Sequence, residues 1–299
     1  ECEAISRHSG SLSYNNIAII EKTFTQQELP ENNWDFYYLT VKNKQGVVVL
    51  KTLITTALTK DDMFEPGYIS EKVEKERQLG LKYYLTSKTV ITGSLITKGN
   101  HVYINFEDKN WKKALRNLTD YLVQLSDQVN ATRIMIRDFY GKQGLEFETT
   151  MFELGFSRLQ LLNNMALDTL NWETTDEYLG SLSQRYRYDV RREILKFEAN
   201  FITTFEKPSI VATLLRYYQL YEKVHRRSRD LNVFKLPFSY FQAMNEDPNY
   251  DFIQLYLKGE CVEGYEGTAP ILVGVMFSHK SEENYNALIV GLKDQYVRS

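Results

Sequence analysis

Two segments of this chain, 216 residues apart, are variants of a single strand. Asn33-Trp34-Asp35-Phe36-Tyr37-Tyr38-Leu39-Thr40-Val41-Lys42 aligns with Asn249-Tyr250-Asp251-Phe252-Ile253-Gln254-Leu255-Tyr256-Leu257-Lys258. Five of ten positions are identical, and two more exchange Trp for Tyr and Val for Leu. Aromatic and aliphatic residues dominate both, as suits a pleated, half-buried surface. Each is followed by a turn-like stretch, residues 43–46 and 259–270, and then by a second apolar run, Val47 to Leu50 and Ile271 to Val275. The offset is too long for a solenoid, so the pattern predicts two copies of one fold. A length of 299 residues also accommodates two domains. The boundary is expected near residue 170, with an N-terminal unit over 1–170 and a C-terminal unit over 171–299.

The first copy reads further as an alternation of strands and helices. Lys88 to Ile96 and His101 to Phe106 are expected to be paired strands joined by Gly99-Asn100, a hairpin signal. Glu107-Asp108 opens a helix whose apolar stripe is Trp111, Leu115, Leu118, Leu122 and Leu125, spaced by three and four. Arg133 to Arg137 is a strand, Phe147 to Leu154 a helix stopped by Gly155, and Phe156 to Asp168 the closing strands. This order indicates an α/β layered architecture. Trp172 to Asn245 reads as helical, with Tyr178, Leu182, Tyr186, Val190 and Ile194 forming one face. A second helix carries Val211, Leu214, Leu215, Tyr218, Leu220, Tyr221 and Val224. After a break at Leu231 to Pro237 and a short helix near Phe241, the second copy runs strand, strand, and a third strand from Asn284 to Gly291.

Composition removes several classes of function. Lys and Arg number 36 against 39 Asp and Glu, a net charge of −3, which argues against a dedicated nucleic-acid binder or a polybasic membrane protein. No apolar run reaches the length of a membrane span. Cys2 and Cys261 are too few for a disulfide framework, so a reducing, cytoplasmic setting is the default. The sequons at Asn117 and Asn130 then carry no meaning. The four histidines, at 8, 101, 225 and 279, have no metal-ligand spacing, and no metal is expected. No Gly-x-Ser-x-Gly elbow is present, and Gly264 to Gly267 reads as a hairpin turn. The opening Glu1-Cys2-Glu3 lacks a methionine, so a removed leader or a longer parent chain is expected.

Three segments resemble the FemAB/FemX-like branch of the GNAT N-acyltransferase superfamily. The first is Tyr178-Leu179-Gly180-Ser181-Leu182-Ser183-Gln184-Arg185-Tyr186-Arg187, continuing to Val190-Arg191-Arg192. The second is Leu231-Asn232-Val233-Phe234-Lys235-Leu236-Pro237, following Leu220 to Val224. The third is Asn284-Tyr285-Asn286-Ala287-Leu288-Ile289-Val290-Gly291-Leu292. The resemblance covers most of residues 30–299 and rests on family-level patterns, not catalytic signatures. It implies two tandem GNAT-like acyl-CoA N-acyltransferase domains. Measured from the repeated strands, the first copy runs from Asn33 to about Leu170, whereas the second has only Asn249 to Ser299. The second copy is therefore expected to be C-terminally incomplete.

The implied activity is transfer of an acyl group from acetyl-CoA or another acyl-CoA donor to an amine acceptor in a cleft between the domains. The acceptor would be an amine-bearing small molecule or a cell-wall or lipid precursor. Two other functions stay open: a non-catalytic recognition or dimerisation module attached to an upstream pyridoxal-phosphate enzyme, and aminoacyl-tRNA-dependent aminoacyl transfer into a peptidoglycan precursor. The modest charge and absence of a long basic arm weigh mildly against the last. The donor's pyrophosphate needs backbone N–H groups at a helix start. After Phe106 the chain offers Glu107 and Asp108 and no glycine, so the first copy reads as degenerate. In the second copy the turn would follow Gly291, which puts Gly291 and Leu292 at the donor.

Candidate substrate-binding residues are Arg191, Arg192, His225, Asn232, Tyr285 and Asn286. Arg191 and Arg192 belong to a basic cluster with Arg185, Arg187, Arg226, Arg227 and Arg229. Arg forks suit phosphates, and a solvated helix face is the competing reading. His225 and His101 are each either a general base or an ordinary hydrogen-bonded histidine. Tyr285 and Asn286, on the third strand, are either ordinary strand residues or offer polar groups to an acyl carbonyl or an acceptor amine.

Overall fold

The computed structural model describes residues 11–138, 144–159, 167, 170–229, 231–262, 267–281 and 284–293. The chain enters through helix α1 (Tyr14–Phe24), whose N-cap Ser13 accepts from the Asn16 N–H; one face buries Asn16, Ile20, Thr23 and Phe24. Strands β1 (Asp35–Lys42) and β2 (Val48–Lys60) follow as an antiparallel hairpin, Asp35 opposite Thr56, with a register shift at Val41/Lys42. Asn43 makes the turn by accepting from the N–H groups of Gln45 and Val47. Helix α2 (Gly67–Gln78) leads to β3 (Thr86–Thr92), which pairs with the C-terminal half of β2.

β4 (Val102–Ile104) corrects the sequence expectation. It pairs with Leu50 to Thr52 of β2, not with β3, so Gly99-Asn100 closes no hairpin. Residues 93–101 instead leave the sheet as a loop held by the Ser94 and Thr97 hydroxyls, each of which accepts from the other's N–H. Gly93 starts it with φ +79°, and a Cβ there would lie 2.1 Å from His101 Cδ2. Helix α3 (Trp111–Val129) begins after the expected Glu107-Asp108, because Asp108 forms a turn with the Asn110 N–H. Its predicted stripe, Trp111, Leu115, Leu118, Leu122 and Leu125, is buried against Val49, Leu50, Ile54 and Val90. β5 (Arg133–Met135) then joins β3 in parallel, and α4 (Leu145–Glu153) ends at Gly155 with φ +90°. Of the strands expected over Phe156 to Asp168, residues 156–159 show no regular structure, and most of the rest lie outside the described residues.

The predicted helix through Tyr178 and Ile194 is two, α5 (Thr175–Ser181) and α6 (Gln184–Glu193), separated where Ser183 caps the second. None of the expected apolar face is fully buried: Tyr178, Leu182 and Val190 are half-buried, Tyr186 is 65% and Ile194 60% exposed, and Leu179, outside that face, is the buried residue. β6 (Phe201–Thr204) is a strand within the region read as helical, too short to show a period. Helices α7 (Val211–Arg227) and α8 (Phe238–Glu246) lead to β7 (Tyr250–Leu257), β8 (Ile271–Lys280) and β9 (Tyr285–Leu292). The four strands are antiparallel in the order β6-β7-β8-β9. The turn expected at Gly264 to Gly267 lies almost wholly outside the described residues. The repeated segments thus form β1 and β7, each paired to a long following strand, with register shifts at Val41/Lys42 and Leu255/Tyr256. The result is an α+β fold of two domains, one sheet in each.

One aromatic core joins the sheets. Ala57 and Ile91 of the first sheet share a cluster with Ile20 and Phe24 of α1, Tyr218 and Tyr221 of α7, Phe241 of α8, and Phe252 and Phe277 of the second sheet. Phe24 stacks on Trp34 at 3.9 Å and tilts against Tyr240 at 5.7 Å, so α1 wedges the two halves together. Among the described residues no helix is long and apolar enough to cross a membrane.

α7 lies so close on β9 that a Cβ at Gly291 would fall 2.6 Å from the Tyr221 backbone nitrogen. No rotamer relieves a clash with backbone. Gly291→Ala is expected to lose about 3 kcal/mol, seen as a lower urea midpoint with an unchanged slope; an unchanged midpoint would refute this packing.

Candidate functional site

Polar side chains converge in the seam between the sheets at two places. The deeper is a charge-balanced lock. Lys60 ends β2, Asp62 follows it, and Glu74 and Arg77 stand one turn apart on α2. Lys60 Nζ donates to Glu74 Oε1 (2.8 Å) and to Asn232 Oδ1 (3.1 Å). Arg77 bridges Asp62 (2.6 Å) and Glu74. Asn232 comes from the segment between α7 and α8, and its Nδ2 donates to Asp62 Oδ2 (2.7 Å) and Glu74 Oε1 (3.0 Å). The amide therefore presents its oxygen to a cation and its nitrogen to two carboxylates, at 1% exposure. Burial alone would raise the Glu74 carboxyl. Hydrogen bonds from Lys60, Asn232 and Arg77 overcome it and bring the pKa down to about 2. His225 of α7 holds the same segment through Nε2 and the Val233 carbonyl (2.9 Å), and burial lowers its pKa.

The second place is nearer the surface, where three parts of the chain meet. Ser11 and Lys98 exchange hydrogen bonds, Ser11 N–H to Lys98 O (3.0 Å) and Lys98 N–H to Ser11 Oγ (2.7 Å). Lys98 Nζ reaches Ala287 O on β9 (3.4 Å). Ser13, the cap of α1, contacts His279 Nε2 at 3.2 Å. His279 is fully buried and lies opposite Asn286 in the β8/β9 register, so the two side chains share a face. His279 Nδ1 and Asn286 Nδ2 are both buried without a hydrogen-bond partner. Burial lowers the His279 pKa and so favours the neutral imidazole near pH 7. With the proton on Nε2, Nδ1 offers a lone pair beside the Asn286 amide donor.

In the first sheet β3 and β5 pair only from Thr89 to Ile91 and Arg133 to Met135. Beyond that, Arg137 fills the opening, donating to Ser94 O (3.0 Å) and Leu95 O (3.2 Å) and pairing with Asp138 (2.9 Å). His101, fully buried behind it, bonds Thr97 Oγ1 through Nε2 (2.9 Å); its Nδ1 is 3.6 Å from Asp138, too far for a hydrogen bond. Burial and the Arg137 charge push the His101 pKa down to about 3.

The predicted site residues thus separate into groups. Asn286 meets His279, and Tyr285 beside it is 49% exposed. His225 and Asn232 belong to the lock, where their hydrogen bonds go to the protein itself. Arg191 and Arg192 are exposed on α6, with Arg192 paired to Glu193 and Asp189 and lying over the Tyr188 ring. Arg187 is spent on the carbonyls of Leu179, Gly180 and Leu182 at the end of α5. Gly291 faces α7, and Leu292 lies beside Gly274 of β8. Lys60, Asp62, Glu74, Arg77, Ser13, Lys98 and His279 were not predicted. Only the Glu74–Arg77 spacing was visible in sequence, as an ordinary helix pair. Among the described residues no three His, Cys, Asp or Glu side chains are placed to hold a metal.

These features define a two-sheet α+β protein with a polar seam. Among solved structures, the fold is similar to that in the crystal structure of FemX, with a TM-score of 0.51 and 13% sequence identity. The match covers 95% of this chain and 80% of that one. No family model matches the chain, and no curated protein matches it.

Asn232→Leu keeps the branched shape and removes both ends of the amide, so it is expected to cost about 3 kcal/mol in equilibrium unfolding. Acid will weaken the native state in two stages. His101 takes a proton near 6.5 when unfolded and near 3 when folded, so its contribution is present above 6.5 and lost as pH falls toward 3. Glu74, ordinarily 4.5 and about 2 when folded, adds a loss between those values. Glu74→Gln should flatten the lower stage of the stability–pH curve and leave the upper one; an unchanged curve would contradict the assignment.

Proposed function

We propose that this protein is a Fem-type transferase that forms an amide bond between an activated aminoacyl group and an amine acceptor in the seam between its sheets. The observation that carries this reading is the likeness to the FemX fold over 95% of the chain. The second observation is that His279 Nδ1 and Asn286 Nδ2, on cross-strand neighbours at the seam, are both buried without a hydrogen-bond partner. The donor is an aminoacyl ester on tRNA and the acceptor an amine on a peptidoglycan precursor. The acceptor nitrogen attacks the ester carbonyl, the carbon–oxygen ester bond breaks, and the departing hydroxyl oxygen takes up the proton the amine releases. Asn286 Nδ2 would donate to the carbonyl oxygen as negative charge gathers there. Neutral His279 would relay the proton through Nδ1 once the seam admits the acceptor.

Acyl-CoA is the competing donor. The resemblance to GNAT enzymes favours it, and Gly291 and Leu292 would then stand near the carrier. The opening between β3 and β5, filled by Arg137, supports the view that the first domain holds no carrier and shapes the acceptor side instead. A transfer assay with charged tRNA and a lysine-containing muropeptide, run beside acetyl-CoA, separates the donors. Label is expected to pass from tRNA, and Asn286→Ala is expected to lower kcat by about a hundredfold. Label from acetyl-CoA alone would move the donor to CoA. Transfer from neither would favour a non-catalytic module.

A further inference from the structure

Between α2 and β3 the chain reads Leu79-Gly80-Leu81-Lys82-Tyr83-Tyr84-Leu85, and this turn holds apolar side chains in water. Leu79 is 80% exposed, Leu81 55%, Leu85 44% and Tyr84 43%. Isolated exposed leucines need no explanation, but a run of them on one turn does. The backbone beneath is firmly held. Arg77, from the buried lock, donates through Nε to Tyr84 O and through Nη2 to Leu85 O, both at 2.9 Å. Asp61 N–H also donates to Leu85 O (2.9 Å), and Tyr84 N–H to Leu81 O (2.7 Å). Tyr83, 38% exposed, is tied to the protein by its hydroxyl, which donates to Glu31 (2.8 Å), with its ring 6.4 Å from Phe234.

Leu85 has φ +49°, in the left-handed region that a leucine avoids. Strain of that kind persists only where surrounding contacts over-determine it, as the bonds to its carbonyl do here. The fold therefore fixes this turn in a shape that keeps its leucines outside. The turn's only charge is Lys82, 55% exposed although paired with Glu31, and it contains no carboxylate. Leucines that reach the acyl boundary, a tyrosine hydroxyl at headgroup level and a lysine beside them are what an anionic lipid interface binds.

We propose that residues 79–85 are an interfacial anchor that seats this protein on an anionic lipid bilayer. This inference goes beyond the transferase reading and stands without it. The test is co-sedimentation of the full chain with large unilamellar vesicles of equimolar phosphatidylcholine and phosphatidylglycerol, and with phosphatidylcholine alone. The wild type is expected to sediment with the mixed vesicles. The double variant Leu79→Ser, Leu81→Ser is expected to bind at least about tenfold more weakly, with circular dichroism and urea midpoint unchanged. Lys82→Gln should lose about fivefold, and only on the anionic vesicles. The proposal is overturned if the wild type stays in the supernatant or if the double variant sediments like it. It is equally overturned if sedimentation equilibrium shows that the turn instead mediates self-association abolished by the same two substitutions.

Discussion

One amide group, on Asn232, ties the two halves of this protein together where neither could be left alone. It arrives from the segment between α7 and α8 and completes a four-charge cluster on the first domain. Without it Lys60, Asp62 and Glu74 would each lose a partner, the first two of them buried and Glu74 only slightly exposed. Burying charge is tolerable only when every lone pair and proton is used. Because Arg77 belongs to the same cluster, the lock also sets the backbone of the turn after α2. The relative position of the sheets, and hence the shape of the seam, follows from that arrangement together with the aromatic wedge of Phe24, Trp34 and Tyr240.

The seam contrasts two ways of keeping a histidine neutral. His101 is enclosed behind Arg137, where burial and a neighbouring cation act in the same direction. His279 is buried beside Ser13 at the end of α1, with an unsatisfied nitrogen, and its cross-strand neighbour Asn286 carries an unsatisfied amide. The first arrangement closes the opening of one sheet. Both leave Nδ1 without a hydrogen-bond partner, but only that of His279 lies on a strand pair at the border of the second sheet with a further unsatisfied donor, the Asn286 amide, and unused capacity in a buried place is what a binding partner can claim.

Much of the architecture was legible in the sequence. The repeated Asn-aromatic-Asp-Phe segment identified β1 and β7 because strand residues advertise themselves by type, and the α3 stripe did so by spacing. Local pattern failed where a choice between partners was tertiary. Val102 to Ile104 had the composition of a hairpin strand, but which edge it joins depends on the length of β2. Tyr178 to Ile194 kept a four-residue step across the break at Ser183, and the step hid two helices. The site was less legible still. Asn232 and Asn286 carried a family-like pattern, whereas Lys60, Lys98 and His279 become site residues only through contacts as much as 266 residues apart.

β2 receives both β3 and β4 on the same edge, each in its own register. Everything between them, residues 93–101, is therefore an excursion whose two ends are fixed independently of its length. Evolution can lengthen or shorten such a detour without re-threading the sheet. The detour is anchored to the first sheet by Ser94, Thr97 and His101 and carries Lys98 to the second domain, so its tip at Lys98 is the point where the seam can be remodelled with the sheet left as it is.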